Sequence, residues 1–114
     1  MILNGIDIDF DFTDGDNWEK YEKAQKKIVD EAERLKKEVK EKPLSESIKE
    51  ECKVLDEFID SVFGEGLSKK IFNKPHSLGE RTRIYGQIVE EAGKQKDQYQ
   101  SFIDEYSPDR AKRG

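Results

Sequence analysis

The sequence predicts a mainly α fold: a short N-terminal β-hairpin followed by a bundle of three long helices plus one short helical turn. Three observations point there. Apolar residues alternate with aspartate over residues 6–12, directly after an Asn-Gly pair. Two later stretches carry apolar residues at alternating spacings of three and four, the period of an amphipathic helix. The 114 residues are only 33% hydrophobic against 41% charged, which is too little for a thick two-sided core and enough for a thin seam between charge-laced helices. One small domain is expected over residues 1–106, with 107–114 as a flexible basic tail.

The hairpin is read over residues 1–13. Asn4-Gly5 readily takes the positive φ angles of a type I′ turn, with Met1 to Leu3 as a very short partner strand. Beyond the turn, Ile6, Ile8, Phe10 and Phe12 fall on one face and Asp7, Asp9 and Asp11 on the other. A two-stranded hairpin is marginal alone, so its apolar face must lie on the helices or join a sheet in a partner. The first helix is expected over 14–42. Its seam runs through Trp18, Tyr21, Gln25, Ile28, Ala32, Leu35 and Val39, broken only by Gln25. Asp14 or Asp16 can cap its start, and Pro43 stops it.

Ser45 or Ser47 can cap a second helix over 45–63, where Ile48, Cys52, Leu55, Ile59 and Val62 are joined by Val54, Phe58 and Phe63. This is the most apolar helix and belongs at the centre of the core. Gly64 and Gly66 end it, and residues 67–72 form a short helical turn that docks Ile71 and Phe72. Ser77-x-x-Glu80 reads as a capping box opening the third long helix, 77–106, with a seam through Tyr85, Ile88, Ala92, Gln95, Tyr99, Phe102 and Tyr106. The outer helices are too long for the middle one to cover. Their ends must project, bend, or pack on another molecule.

The formal net charge of −5 resides wholly in residues 1–17, which hold five aspartates and no Lys or Arg. No basic field that would favour nucleic acid is present, although Arg110, Lys112 and Arg113 outnumber Asp109 in the tail. The aspartate run fails as an EF-hand: from Asp9, position six is Asp14 where Gly is needed, and position twelve is Lys20 where Glu is needed. With one cysteine and one histidine, neither an internal disulfide nor the usual nitrogen and sulfur metal sites can be assembled. Cys52 falls at core spacing, as befits a buried, inert thiol, and His76 lies in a loop. With no nucleophile, base and oxyanion arrangement and no phosphate cradle, the expectation is a non-enzymatic protein without metal or cofactor. There is no apolar run long enough to span a membrane and no secretory segment, so a cytoplasmic protein is expected.

Several local patterns run through nearly the whole chain. They are Asn4-Gly5-Ile6 with the Phe10 and Phe12 strand, the turn into Trp18 and Tyr21, and Leu44-Ser45-Glu46-Ser47-Ile48. Phe63-Gly64-Glu65-Gly66 followed by Lys69-Lys70-Ile71-Phe72, and the ending Tyr106-Ser107-Pro108 with Arg110, Ala111 and Arg113, complete the set. Together they resemble a family of small, tail assembly chaperone-like proteins encoded in the tail operons of phages and prophages of Gram-positive bacteria. The resemblance implies a protein of the host cytoplasm that keeps the tape measure protein soluble and helps recruit tail tube subunits. Its partner-binding residues would be aromatic anchors, Trp18, Tyr21, Tyr99, Phe102 and Tyr106, although each also sits on a seam where burial is the commoner fate. The overhanging seams are compatible with a homo-oligomer. The alternative is a small acidic anti-defence or regulatory inhibitor acting through the aspartate-rich hairpin, its carboxylates imitating a phosphate backbone.

Overall fold

The computed structural model describes residues 1–38 and 41–106. Strands β1 (Ile2–Leu3) and β2 (Ile6–Asp7) pair antiparallel, with Ile2 opposite Asp7 and Leu3 opposite Ile6. Between them Asn4 and Gly5 have φ angles of 49° and 81°, the paired left-handed geometry of a type I′ turn. The ladder is short, and beyond it the Ile8 N–H reaches the Met1 carbonyl at 2.7 Å. Residues 8–12 continue the alternation outside the ladder, with Ile8 and Phe12 buried and Asp9 and Asp11 exposed.

Helix α1 spans Gly15–Glu38, α2 Leu44–Phe63, α3 Leu67–Ile71 and α4 Leu78–Tyr106. Of the two candidate caps for α1, Asp14 serves: its carboxylate accepts from the N–H groups of Asp16 at 2.9 Å and Asn17 at 3.1 Å. The first helix does not run to residue 42 as expected. The Glu41 N–H bonds the Glu38 carbonyl at 3.0 Å, a tight three-residue turn that takes the chain out of the helix; Val39 lies outside the described residues. Nor does Ser45 or Ser47 cap α2. Pro43 occupies the N-cap, and its carbonyl accepts from the N–H groups of Glu46 and Ser47 at 3.0 and 3.2 Å. Proline suits a site that needs no N–H, so the helix starts one residue early without a side-chain cap. The expected basic tail at 107–114 falls outside the described residues.

The core gathers Leu3, Ile8 and Phe12 from the hairpin segment, Tyr21 and Ala24 from α1, and Phe58, Ile59 and Val62 from α2. Ile71 and Phe72 close it below, and α4 contributes Ile84, Ile88 and Ala92. Phe12 is the aromatic centre, meeting Phe10, Tyr21 and Trp18 edge-on with ring centroids at 4.8, 5.3 and 6.2 Å. The α1 seam differs from expectation in one respect: Ala24 is buried and Ala32 exposed. Tyr21 and Leu35 are buried and Ile28 half-buried, so the face has simply rolled about their line toward Ala24. A straight helix of 3.6 residues per turn drifts in this way against a strict heptad.

Arg81 ties the lower half together. It is 3% exposed, and its fork meets Asp56 of α2, Nε to Oδ1 at 2.7 Å and Nη2 to Oδ2 at 3.2 Å. Nη1 donates to the carbonyls of Lys74 and Ser77 at 3.1 Å each, and Nη2 to that of Pro75 at 3.0 Å. The guanidinium carbon lies 4.4 Å from the Phe72 ring centroid. Five donors thus find five acceptors.

The neighbouring Glu80 completes half of the expected capping box. Its N–H takes the Ser77 Oγ at 3.2 Å, but its carboxylate turns to the N–H groups of Asn73 and Lys74 at 3.1 and 3.2 Å. It also accepts from Asn4 Nδ2 at 3.2 Å. Asn4 in turn donates to the Ile71 carbonyl at 3.0 Å and accepts from Arg83 Nη2 at 2.7 Å. The hairpin turn is therefore fastened to the start of α4.

Past Gln95, every α4 side chain described is exposed, and the molecule measures 61 × 32 × 20 Å. Its radius of gyration is 17.4 Å, against about 13 Å for a compact chain of this length.

Arg81→Ala should lower the unfolding free energy by about 3 kcal/mol in urea titration, the lower end for breaking a buried pair because Asp56 keeps some contact with solvent. Arg81→Lys should recover little of that loss, since an ammonium cannot reproduce the planar fork. A pH dependence follows from Glu80. Burial pushes its carboxyl upward, but the N–H groups of Asn73 and Lys74 outweigh this and hold it below the ordinary value of 4.5. A lowered folded-state value stabilises fully above the ordinary value and is lost as pH falls through the folded one. Glu80→Gln should therefore lower stability at pH 7 and flatten the acid limb of the stability profile.

Candidate functional site

A surface groove with aromatic walls opens where the body of the protein ends along α4. Phe12, Thr13, Gly15 and Trp18 form one wall, and Gln95, Lys96, Tyr99 and Gln100 the other, around about 360 Å³. The two walls are joined by a bond from the Phe12 N–H to Gln95 Oε1 at 2.8 Å, with Gln95 Nε2 donating to Glu91 at 3.1 Å. The rim is stiffened by Asp11, whose carboxylate accepts from the Thr13 hydroxyl at 2.6 Å and the Thr13 N–H at 2.9 Å. Those two bonds also hold the Asp11 carboxyl below its ordinary pKa, so it stays charged. Trp18 stands half-buried, packed against Phe12 and Tyr21.

Of the five aromatic residues predicted to contact a partner, Trp18 and Tyr99 meet on opposite walls of this groove. Tyr99 is 50% exposed, and Phe102 and Ile103, at 57% and 43%, carry the apolar stripe outward along the overhang. Tyr106 ends α4, but its side chain is outside those described. Tyr21 goes the other way. It is 7% exposed in the core, and its hydroxyl accepts from Gln25 Nε2 at 2.7 Å while Gln25 Oε1 accepts from the Tyr85 hydroxyl. Burial raises both phenol pKa values, which keeps this network neutral. Tyr21 thus braces α1 against α4 and presents almost no surface to a partner.

Two glutamines, one in the groove and one in the core beneath it, read in the sequence only as polar residues on a seam. Gln25 and Gln95 each occupy a seam position in an otherwise apolar or aromatic series. Each proves to be a bridge: Gln25 joins α1 to α4, and Gln95 joins α4 to the hairpin exit. A polar amide on a seam is the available signal, because burying it requires a partner.

The aspartates divide by local role. Asp14 caps α1, Asp11 forms the turn at Thr13, and Asp7 lies 3.5 Å from the N-terminal ammonium, while Asp9 and Asp16 are exposed. Among the described residues no group of three or more His, Cys, Asp or Glu side chains is placed to hold a metal ion. Cys52 is 1% exposed and burial raises its pKa; His76 is exposed in the loop before α4. Among the described residues no helix is long and apolar enough to cross a membrane.

The class defined by these features is a small, elongated helical protein, capped by a hairpin, whose distinguishing surface is an aromatic groove running into a helical overhang. The chain belongs to the family of unknown function DUF6673, whose model matches residues 4–114. No curated protein and no solved structure shows detectable similarity to it.

Gln95→Leu leaves the Phe12 N–H without an acceptor and should cost about 1–2 kcal/mol of stability. Amide exchange followed by NMR should show Phe12 accelerating far more than Ile88 or Ile59.

Proposed function

We propose that this protein is a non-enzymatic binding protein of the tail assembly chaperone type, which engages an amphipathic helix of a tape measure or tail tube protein in the host cytoplasm. The observation that supports a binding role is the continuation of α4 beyond the body, with Tyr99, Phe102 and Ile103 exposed beside a groove walled by Trp18. A helix laid along that stripe would bury apolar residues that this chain leaves in water, the helix-in-groove mode of recognition. Mixed charge elsewhere on the surface would keep such a complex soluble. The choice of tail proteins as partners is supported by the sequence resemblance, which includes the hairpin and, of the groove residues, Phe12 and Trp18.

Co-expression with tape measure and tail tube proteins from the same genome tests this reading. A soluble complex should co-purify with at least one of them. Tyr99→Ala and Phe102→Ala, which change exposed side chains and leave the fold intact by circular dichroism, should each weaken it by about 2 kcal/mol, roughly thirtyfold in Kd. Absence of association with both proteins overturns the tail assembly assignment, and association indifferent to both substitutions moves the contact elsewhere.

A further inference from the structure

We propose that the groove between Trp18 and Tyr99 takes an arginine side chain from the partner's helix, stacked on the two rings with its guanidinium turned to the Asp11 carboxylate. The inference rests on the reading of this groove as a partner-facing surface, and it names the chemistry of what enters. Size limits the occupant. An α-helix with its side chains is about 10 Å across, whereas the groove encloses about 360 Å³, near the lower end for pockets that hold organic ligands. It admits one long side chain and leaves the helix that carries it outside.

The walls select a flat cation. Trp18 is half-buried and Tyr99 is 50% exposed, so both rings keep open surface where they line the groove. The face of an aromatic ring attracts a cation, and tryptophan does so most strongly. Arginine suits such walls better than lysine, because its guanidinium is planar, stacks on rings and is more weakly hydrated than an ammonium. Between the rings, Thr13, Gln95 and Gln100 give the groove a polar lining that tolerates a charged group.

Charge sets the sign of the occupant. Among the described residues Lys96 is the only charged one that lines the groove, and it is exposed on α4, where its flexible stem can carry the ammonium into water. On the opposite wall Asp11, Asp14 and Asp16 flank the lining residues Phe12, Thr13 and Gly15, and the first 17 residues hold no Lys or Arg. Asp14 is engaged with the N–H groups that open α1. Asp11 is only half engaged. Both of its bonds from Thr13 fall on Oδ1, and among the described residues no donor meets Oδ2. That oxygen is the acceptor open to a guanidinium at the Thr13 edge of the groove, as a charge-assisted bond.

Trp18 is the sole tryptophan of the chain, so its fluorescence reports this groove alone. The probe is a synthetic alanine-based helical peptide with arginine at every fourth position, titrated into the full-length protein. A saturable change in Trp18 emission is expected, about fivefold weaker with lysine in place of arginine and lost with glutamine there. Asp11→Asn keeps an amide oxygen for the Thr13 turn and should weaken binding about tenfold. Asp30→Asn makes the same charge change farther along α1 and should alter it less than about twofold. Gly15→Phe sets a ring in the groove wall, where an added Cβ meets nothing within 4 Å, and should block the peptide. Absence of a saturable change overturns the proposal, as does a glutamine or lysine peptide that binds as tightly, or equal weakening by Asp30→Asn and Asp11→Asn. The probe carries no tail protein sequence, so each of these outcomes leaves the tail assembly reading to its own co-purification test.

Discussion

A guanidinium removed from water must have every N–H accounted for, and the way Arg81 meets that demand sets the geometry of the rest of the molecule. Its acceptors come from α2 and from three carbonyls of the loop between α3 and α4. A loop whose carbonyls must converge on one fork has little freedom, so the start of α4 is fixed against the centre of α2. Glu80 is fixed with it and gathers the loop N–H groups together with Asn4. The hairpin turn is consequently placed by the same cluster. From that turn the chain runs extended to Phe12, which ends on Gln95 of α4. The wall of the groove is therefore positioned by a chain of polar contacts that begins far from it.

Much of this architecture could be read from the sequence, and the part that could not has a common character. Asn4-Gly5 announces its turn because few other pairs take two positive φ angles, and the helices announce themselves by period. Arg81 does not, since Glu80-Arg81-Thr82-Arg83 looks like a solvated helical start. Its burial depends on Asp56, distant in sequence, and on carbonyls of an irregular loop that no periodicity describes. Gln25 and Gln95 are visible as polar residues on a seam, but the donor that makes each a bridge, the Tyr85 hydroxyl or the Phe12 N–H, lies on another element. The roll of the α1 face from Ala32 to Ala24 is likewise a packing outcome, because both alternatives share Tyr21, Ile28 and Leu35. Of the candidate contacts, Trp18 and Tyr99 converge on one groove, whereas Tyr21 is drawn inward by Gln25. Sequence spacing identifies a seam but not where along a helix the seam stops being core.

That stopping point follows from length. Helix α2 ends at Phe63 and α1 begins at Gly15, whereas α4 continues to Tyr106. Neither neighbour extends far enough to cover the last turns, so the seam that buries Ile84, Ile88 and Ala92 emerges into solvent at Tyr99 without changing character. The low apolar content of the chain is thus spent on a thin core and on an apolar stripe outside it. Such a stripe with no core beneath it is more readily explained by association than by folding.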